Sequence, residues 1–271
     1  MVRELDCIAI SVDYRLGPVN RFPAALEDAE DVINAVLDPS KPGYRELRVA
    51  VNQSQEKVQR AALEFDKNRI AFSGFSSGGN IVLNMALSVS TSPGDPSKPW
   101  PCVIPQSFPW PIPLLLFYPA LDTRQLPHER SRPPGLEAPK GFLQNLKLET
   151  ELMPTYVTKE QAQHPRASPG LGDMEHGELH KQAKILLVLP DLDTLTAYSG
   201  RWVDKVTAAG RRDDLSIENV KGVLHGWTQF PDAWLNDEQK RLKMQTFDRA
   251  RDFVREAWTA QNGVASYGAE H

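Results

Sequence analysis

Residues at three places in this 271-residue chain have the chemistry to break an acyl bond together. They are a serine in Gly74-Phe75-Ser76-Ser77-Gly78, two aspartates in Pro190-Asp191-Leu192-Asp193, and a histidine in Val223-Leu224-His225-Gly226-Trp227. A serine hydroxyl is a weak nucleophile. It attacks a carbonyl carbon only when a sharp turn presents it to a base and to backbone N–H groups that receive the developing negative charge. Gly-x-Ser-x-Gly encodes such a turn, because glycine on either side lets the backbone fold tightly without Cβ clashes. The pattern arises by chance in roughly one chain of this length in ten, so its surroundings decide. Here an apolar stretch at 69–73 runs straight into it and an amphipathic stretch at 79–90 runs straight out, giving strand, turn and helix in order.

The base must take the serine proton, and a carboxylate must orient the base and stabilise its charged form. Of six histidines, His128, His164, His176 and His180 fall in a long irregular stretch and His271 is the last residue. Only His225 follows a strand pattern, precedes a helix and comes after an acid at a strand end. A lone histidine is more often a hydrogen-bonded structural residue, and position is what singles this one out. The acid belongs in the turn after the apolar run 185–189, where Asp191 and Asp193 both stand. One of them can instead cap the following helix, since an aspartate accepts orphan N–H groups there. Spacing alone leaves the choice open. Ser77 follows the nucleophile, so its backbone N–H is the natural first donor of an oxyanion hole.

The elements that must position these residues alternate along the chain, as in a mostly parallel sheet covered by helices on both faces. The pattern predicts strands at 7–13, 69–73, 114–118, 185–189 and 215–220, and helices at 23–37, 79–90, 196–209 and 237–258. Pro23 stands in the first turn of its helix and Gly210 just past the end of another, where each residue is favoured. Two stretches interrupt the alternation within a single domain spanning 1–271. Residues 93–113 carry eight prolines with Trp100, Phe108 and Trp110, which predicts a loop and excludes helix or central strand. Residues 123–184 offer one helical candidate, 141–156, and are too long for a plain connection; they read as a cap-like insert over the strand ends.

Composition narrows the function classes. A net charge of −4 with scattered Lys and Arg gives no face for nucleic acid. The longest apolar run, 114–118, lies between Pro113 and Pro119 and is far too short to cross a bilayer. Cys7 and Cys102 form neither a disulfide framework nor a metal set. The expectation is a reducing, cytoplasmic setting with no metal and no cofactor. No signal-peptide pattern opens the chain, and the sequon Asn52-Gln53-Ser54 reads as accidental.

With the elbow extended to Gly78-Gly79-Asn80, the chain resembles the hormone-sensitive-lipase-like branch of the α/β hydrolases, which includes many microbial carboxylesterases. The resemblance runs over nearly the whole chain. It is carried by Asp13-Tyr14-Arg15-Leu16 with Phe22-Pro23-Ala24-Ala25 and Glu27-Asp28, by Tyr118-Pro119-Ala120-Leu121-Asp122, by Ser168-Pro169, and by His225-Gly226-Trp227. It implies an α/β-hydrolase fold and a cofactor-free carboxylesterase that cleaves esters of short or medium acyl groups through an acyl-enzyme. It assigns Ser76 as nucleophile and His225 as base. Because the branch places its acid in an Asp-x-Leu motif, matched by Asp193-Thr194-Leu195, it prefers Asp193 to Asp191. Phe75 stands where the branch often has an acid, and Ser77 where alanine is common. Phe75, Trp100 and Trp110 are candidate walls of an acyl pocket, with ordinary packing as the alternative for each.

The branch also carries a His-Gly-Gly-Gly loop upstream of Tyr14-Arg15-Leu16, and this sequence has none. The resemblance therefore implies a fold lacking its N-terminal strands, with a gap of roughly 9 to 10 Å between 7–13 and 69–73, about two strand spacings. It leaves two alternatives to an active esterase. One is a catalytically impaired, truncated form; the other is a non-catalytic small-molecule-binding protein, like the gibberellin receptors of similar sequence that have lost the histidine.

Overall fold

Side chains alternate between the two faces of a strand, and in the central strands both sets are apolar, so both faces must be covered. In a computed structural model of the chain, described for residues 2–138 and 148–267, four parallel strands form one sheet. They lie in the order β1 (Phe72–Phe75), β2 (Ile112–Phe117), β3 (Ala183–Leu192) and β4 (Leu215–Leu224). Leu114, Leu116, Ile185, Leu187 and Leu189 face a core shared with α2 (Ala24–Leu37), α4 (Ser77–Asn84) and α6 (Thr196–Ala208). Leu115, Phe117, Leu186, Val188 and Val220 face a second core closed by α7 (Asp237–Tyr267) through Ala250, Val254 and Trp258. This is the parallel sheet with helices on both faces that the alternation predicts.

Several elements depart from the sequence reading for identifiable reasons. Residues 7–13 form no strand. They carry no regular secondary structure and face the free edge of β1 across a groove of about 800 Å³ lined by Cys7, Ile8, Ile10, Phe72 and Phe75 among others. A strand exists through its ladder, and here no neighbour is within reach to pair with. Pro113 lies inside β2, which has a neighbour on each side. The ring is tolerated because Ile112 bonds toward β3, so Pro113 turns toward β1, which starts only opposite Leu114. Helix α4 stops at Asn84, short of the expected 90, because Ser88 N–H turns to the carbonyl of Glu178 and Leu87 bridges Leu179.

Helix α3 (Pro42–Lys57) was not anticipated: it buries no residue, so its apolar stripe is faint. It is held against α2 by Arg48, which donates to the carbonyls of Ala35 and Val36. The sequon residue Asn52 lies on this helix and bonds the backbone of Leu63 in both directions. Of the helical candidate 141–156, the part at 141–147 lies outside the described residues; α5 spans Leu148–Tyr156. The short α1 (Val2–Leu5) precedes this N-terminal segment. Among the described residues no helix is long and apolar enough to cross a membrane.

The Asp13-Tyr14-Arg15-Leu16 signature has a physical reading. Arg15 bonds Asp28 at 2.9 Å and Glu27 at 3.1 Å, tying the N-terminal segment to α2. In the long insert, residues 157–172 enter the body of the fold. Asn80 and Asn84 on α4 donate to the carbonyls of Ala167 and Arg166, and Ser168 is fully buried.

Candidate active site

The nucleophile turn begins where β1 ends. Ser76 has φ 53 and ψ −112, a positive-φ conformation that side chains rarely adopt and that costs on the order of 1 to 3 kcal/mol. Its backbone is over-determined by β2 and the turn that follows. Ser76 N–H donates to the Phe117 carbonyl at 2.9 Å, and its own carbonyl accepts from Ala120 N–H at 3.1 Å. Not every glycine around it serves the same end. A Cβ at Gly74 would lie 2.1 Å from the Gly78 carbonyl oxygen, and one at Gly79 would lie 2.8 Å from Pro119 Cβ. A Cβ at Gly78 would meet nothing within 4 Å, so the steric reason expected for that glycine does not hold. Gly78 borders the open groove.

The acid and the base are brought together by strand register. Pro190 pairs with Val220, but Leu192 pairs with Leu224, so β4 spends four residues where β3 spends two. Gly222, at φ +73, takes up the surplus, and Asp191 fastens it by accepting Gly222 N–H at 2.8 Å. The residues that follow the Leu192–Leu224 pair are Asp193 and His225. Asp193 is buried and divides its oxygens: Oδ1 accepts Leu195 N–H at 2.8 Å at the start of α6, and Oδ2 lies 2.7 Å from His225 Nδ1. The sequence left two aspartates competing for a catalytic and a capping position. In the structure Asp191 closes a bulge, while Asp193 accepts Leu195 N–H in the turn before α6 and faces the histidine, so neither aspartate caps that helix.

His225 Nε2 lies 2.9 Å from Ser76 Oγ. With Asp193 ionised, Nδ1–H donates to the carboxylate, and the unprotonated Nε2 accepts the serine hydroxyl. Such a chain lets the imidazole take the serine proton as the oxygen attacks a carbonyl and stabilises the resulting positive charge. Ser77 N–H is in the first turn of α4, where no preceding helical carbonyl engages it and the helix dipole favours negative charge. The other expected site features sort themselves differently. Trp100 is taken up by Glu30, to which its Nε1–H donates at 2.8 Å, and by Arg166 stacked 4.6 Å over its ring, so it does not line a pocket beside Ser76. Phe75 stacks on Phe117 at 4.6 Å and borders the groove. His164, His176 and His180 are engaged elsewhere, by the Thr91 carbonyl, Asp173 and the Pro105 carbonyl, and His180 is fully buried.

Sequence reasoning missed Tyr118 and Thr228. The Tyr118 ring meets His225 edge-on at 4.9 Å, and its hydroxyl lies 2.6 Å from Thr228 Oγ1. Burial pushes this phenol up to about 12, so it stays neutral at ordinary pH. The available signal was its place as the first residue beyond a buried strand and just before proline.

A family model described as the alpha/beta hydrolase fold matches residues 1–229. The chain belongs to this family. The resemblance to its hormone-sensitive-lipase-like branch agrees with the relatives found. Probable carboxylesterase 8 of Arabidopsis thaliana is 35% identical over 109 residues, 40% of this chain and 30% of that protein. The 3-O-acetylpapaveroxine carboxylesterase CXE2 of Papaver somniferum is 39% identical over 84 residues, 31% of this chain and 24% of that protein. Among solved structures, an esterase of Pyrobaculum calidifontis superposes with a TM-score of 0.57 at 22% identity, covering 94% of this chain and 68% of that one. The chain thus spans 24 to 30% of the length of these curated relatives.

Proposed function

We propose that this chain is a carboxylic-ester hydrolase working through an acyl-enzyme on Ser76. The observation that carries the reading is the continuous chain Asp193–His225–Ser76, with contacts of 2.7 and 2.9 Å around a strained serine. Ser76 Oγ attacks the acyl carbon as His225 Nε2 takes its proton, and Ser77 N–H binds the oxyanion. The imidazolium returns the proton to the departing alkoxide, releasing the alcohol and leaving the acyl group on Ser76. Water then attacks with His225 again as base, freeing the acid. The carboxylesterase names among the relatives support small-molecule esters as the substrate class; short or medium acyl chains follow from the resemblance alone. The cap reading of 123–184 has support at its start, where Gly135 approaches Leu192 and Arg130 lies 5.8 Å from the Tyr198 ring centroid, both near the acid.

A second reading, a hydrolase with an impaired oxyanion hole, is favoured by one observation. The groove beside β1 is lined by Phe75 and Gly78, on either side of Ser76 in sequence, so open space borders the nucleophile turn there. Losing a single oxyanion donor costs about 10² to 10³ in rate. Hydrolysis of p-nitrophenyl butyrate by the purified chain, against its Ser76→Ala variant, separates the cases. Ser76-dependent turnover at ordinary esterase rates supports the first reading. Ser76-dependent turnover some hundredfold weaker supports the second. Equal rates for the two proteins overturn both.

A further inference from the structure

The His225 side chain is 38% exposed, and its Nδ1 bond to Asp193 does not by itself fix the ring plane. Something must fix the ring plane if Nε2 is to stay 2.9 Å from Ser76 Oγ. The neighbour that meets it is Tyr118, at 4.9 Å between centroids and 64° between planes. Tyr118 is 1% exposed and has φ 39, a left-handed conformation that a bulky side chain keeps only when its surroundings enforce it.

Those surroundings touch every arm of the site. Tyr118 N–H donates at 2.8 Å to Val188 on β3, the strand that ends at the acid. The residue before it, Phe117, accepts Ser76 N–H, and Ala120, two residues after it, donates to the Ser76 carbonyl. Its hydroxyl is paired with Thr228 and its ring lies 5.6 Å from Trp227, both on the turn that follows His225. One residue thus ties together the nucleophile turn, the acid strand and the base loop.

We propose that Tyr118 is the positioning residue of His225: its ring is the wall that keeps Nε2 in line with Ser76, and Thr228 pins that wall through the phenol. The proposal rests on the hydrolase reading for its effect on rate, but not for its effect on geometry. Because the phenol stays neutral, it adds no charge to the site, and its action is through shape.

The test compares second-order rates of Ser76 labelling by a fluorophosphonate in the wild type, Tyr118→Phe, Tyr118→Leu and Thr228→Val, each also in a His225→Ala background. Misplacing a reacting group by about 1 Å costs about 10²-fold. Tyr118→Leu is expected to approach that loss, while Tyr118→Phe and Thr228→Val, which keep the ring, fall by similar amounts within about tenfold. With His225 already removed, Tyr118→Leu is expected to cost nothing more, since a residue acting through His225 has nothing left to position. A wild-type rate in Tyr118→Leu overturns the proposal, and so does an undiminished further loss in the His225→Ala background. The proton resonance of the His225 Nδ1–H bonded to Asp193 gives a readout independent of reactivity. It should persist in Tyr118→Phe and broaden or vanish in Tyr118→Leu. If wild-type Ser76 is not labelled, the hydrolase reading falls, and this resonance still decides the role of Tyr118: its persistence unchanged in a folded Tyr118→Leu protein overturns it.

Discussion

At the C-terminal ends of β1, β3 and β4, side chains from positions 76, 193 and 225 meet at hydrogen-bonding distance. Along the free edge of β1, residues 7–13 line a groove of about 800 Å³ and pair with nothing in the sheet. The difference shows which interactions the geometry of the candidate site depends on. The site hangs from an unbroken ladder, β1 to β2 to β3 to β4, whose central strands are buried on both faces and whose last register shift sets Asp193 beside His225. None of those bonds passes through the N-terminal segment. Ser76 inherits its position from Phe117 and Ala120 on the far side of β1 from the groove. What the open edge borders is the nucleophile turn, where Phe75 and Gly78 line the groove.

The largest effect that sharpens this contrast is chemical. Asp193→Asn leaves an isosteric side chain but no longer favours the Nδ1–H tautomer, so kcat on a p-nitrophenyl ester should fall about 10⁴-fold. Asp191→Asn, whose partner is only the Gly222 N–H, should stay within about tenfold of wild type. Similar losses in the two would return the catalytic assignment to the ambiguity of the sequence.

Stability should divide the same way. Leu187, fully buried at the centre of β3, should cost about 2 to 5 kcal/mol when changed to alanine. Ile10, 40% exposed on the unpaired segment, should stay within about 0.5 kcal/mol. Urea midpoints measure both, and a large Ile10→Ala effect would mean that the N-terminal segment is packed in solution. A finer version lies inside the nucleophile turn. Gly74→Ala, whose Cβ would press on the Gly78 carbonyl, should destabilise by about 1 to 3 kcal/mol. Gly78→Ala should change stability by less than about 1 kcal/mol, because its Cβ enters the groove. A costly Gly78→Ala would show the groove to be filled.

The smallest effect concerns two thiols. Burial pushes Cys102 up to about 11, and its Sγ donates to the Met85 carbonyl. Burial also raises Cys7, half-buried in the groove wall, but by less. A maleimide at neutral pH should therefore modify Cys7 first, and preferential modification of Cys102 would place the groove closed and the proline-rich loop open.

Much of the site was legible in the sequence because its chemistry is encoded locally. Ser76 stands in a turn that its flanking strand and helix announce, and His225 stands alone after the last strand pattern. The choice between Asp191 and Asp193 was not legible from spacing, because it turns on a register shift between β3 and β4 that only pairing reveals. Residues 7–13 carry a strand's apolar pattern, yet a pattern supplies no partner. Helix α3 escaped notice for the opposite reason, since it forms without burying a stripe. Pro113 argued against strand locally, but the starting point of β1 excuses it from the ladder. Tyr118 was read as strand filling, because nothing local states that its ring faces a histidine 107 residues away.

The central claim, that the four-strand ladder alone assembles a reactive serine, is tested most directly by treating the folded chain with a fluorophosphonate and mapping the adduct by mass spectrometry. The account predicts one adduct, on Ser76, absent from Ser76→Ala and formed far more slowly in His225→Ala. A folded wild-type chain that leaves Ser76 unmodified, or an adduct that survives Ser76→Ala, would contradict it.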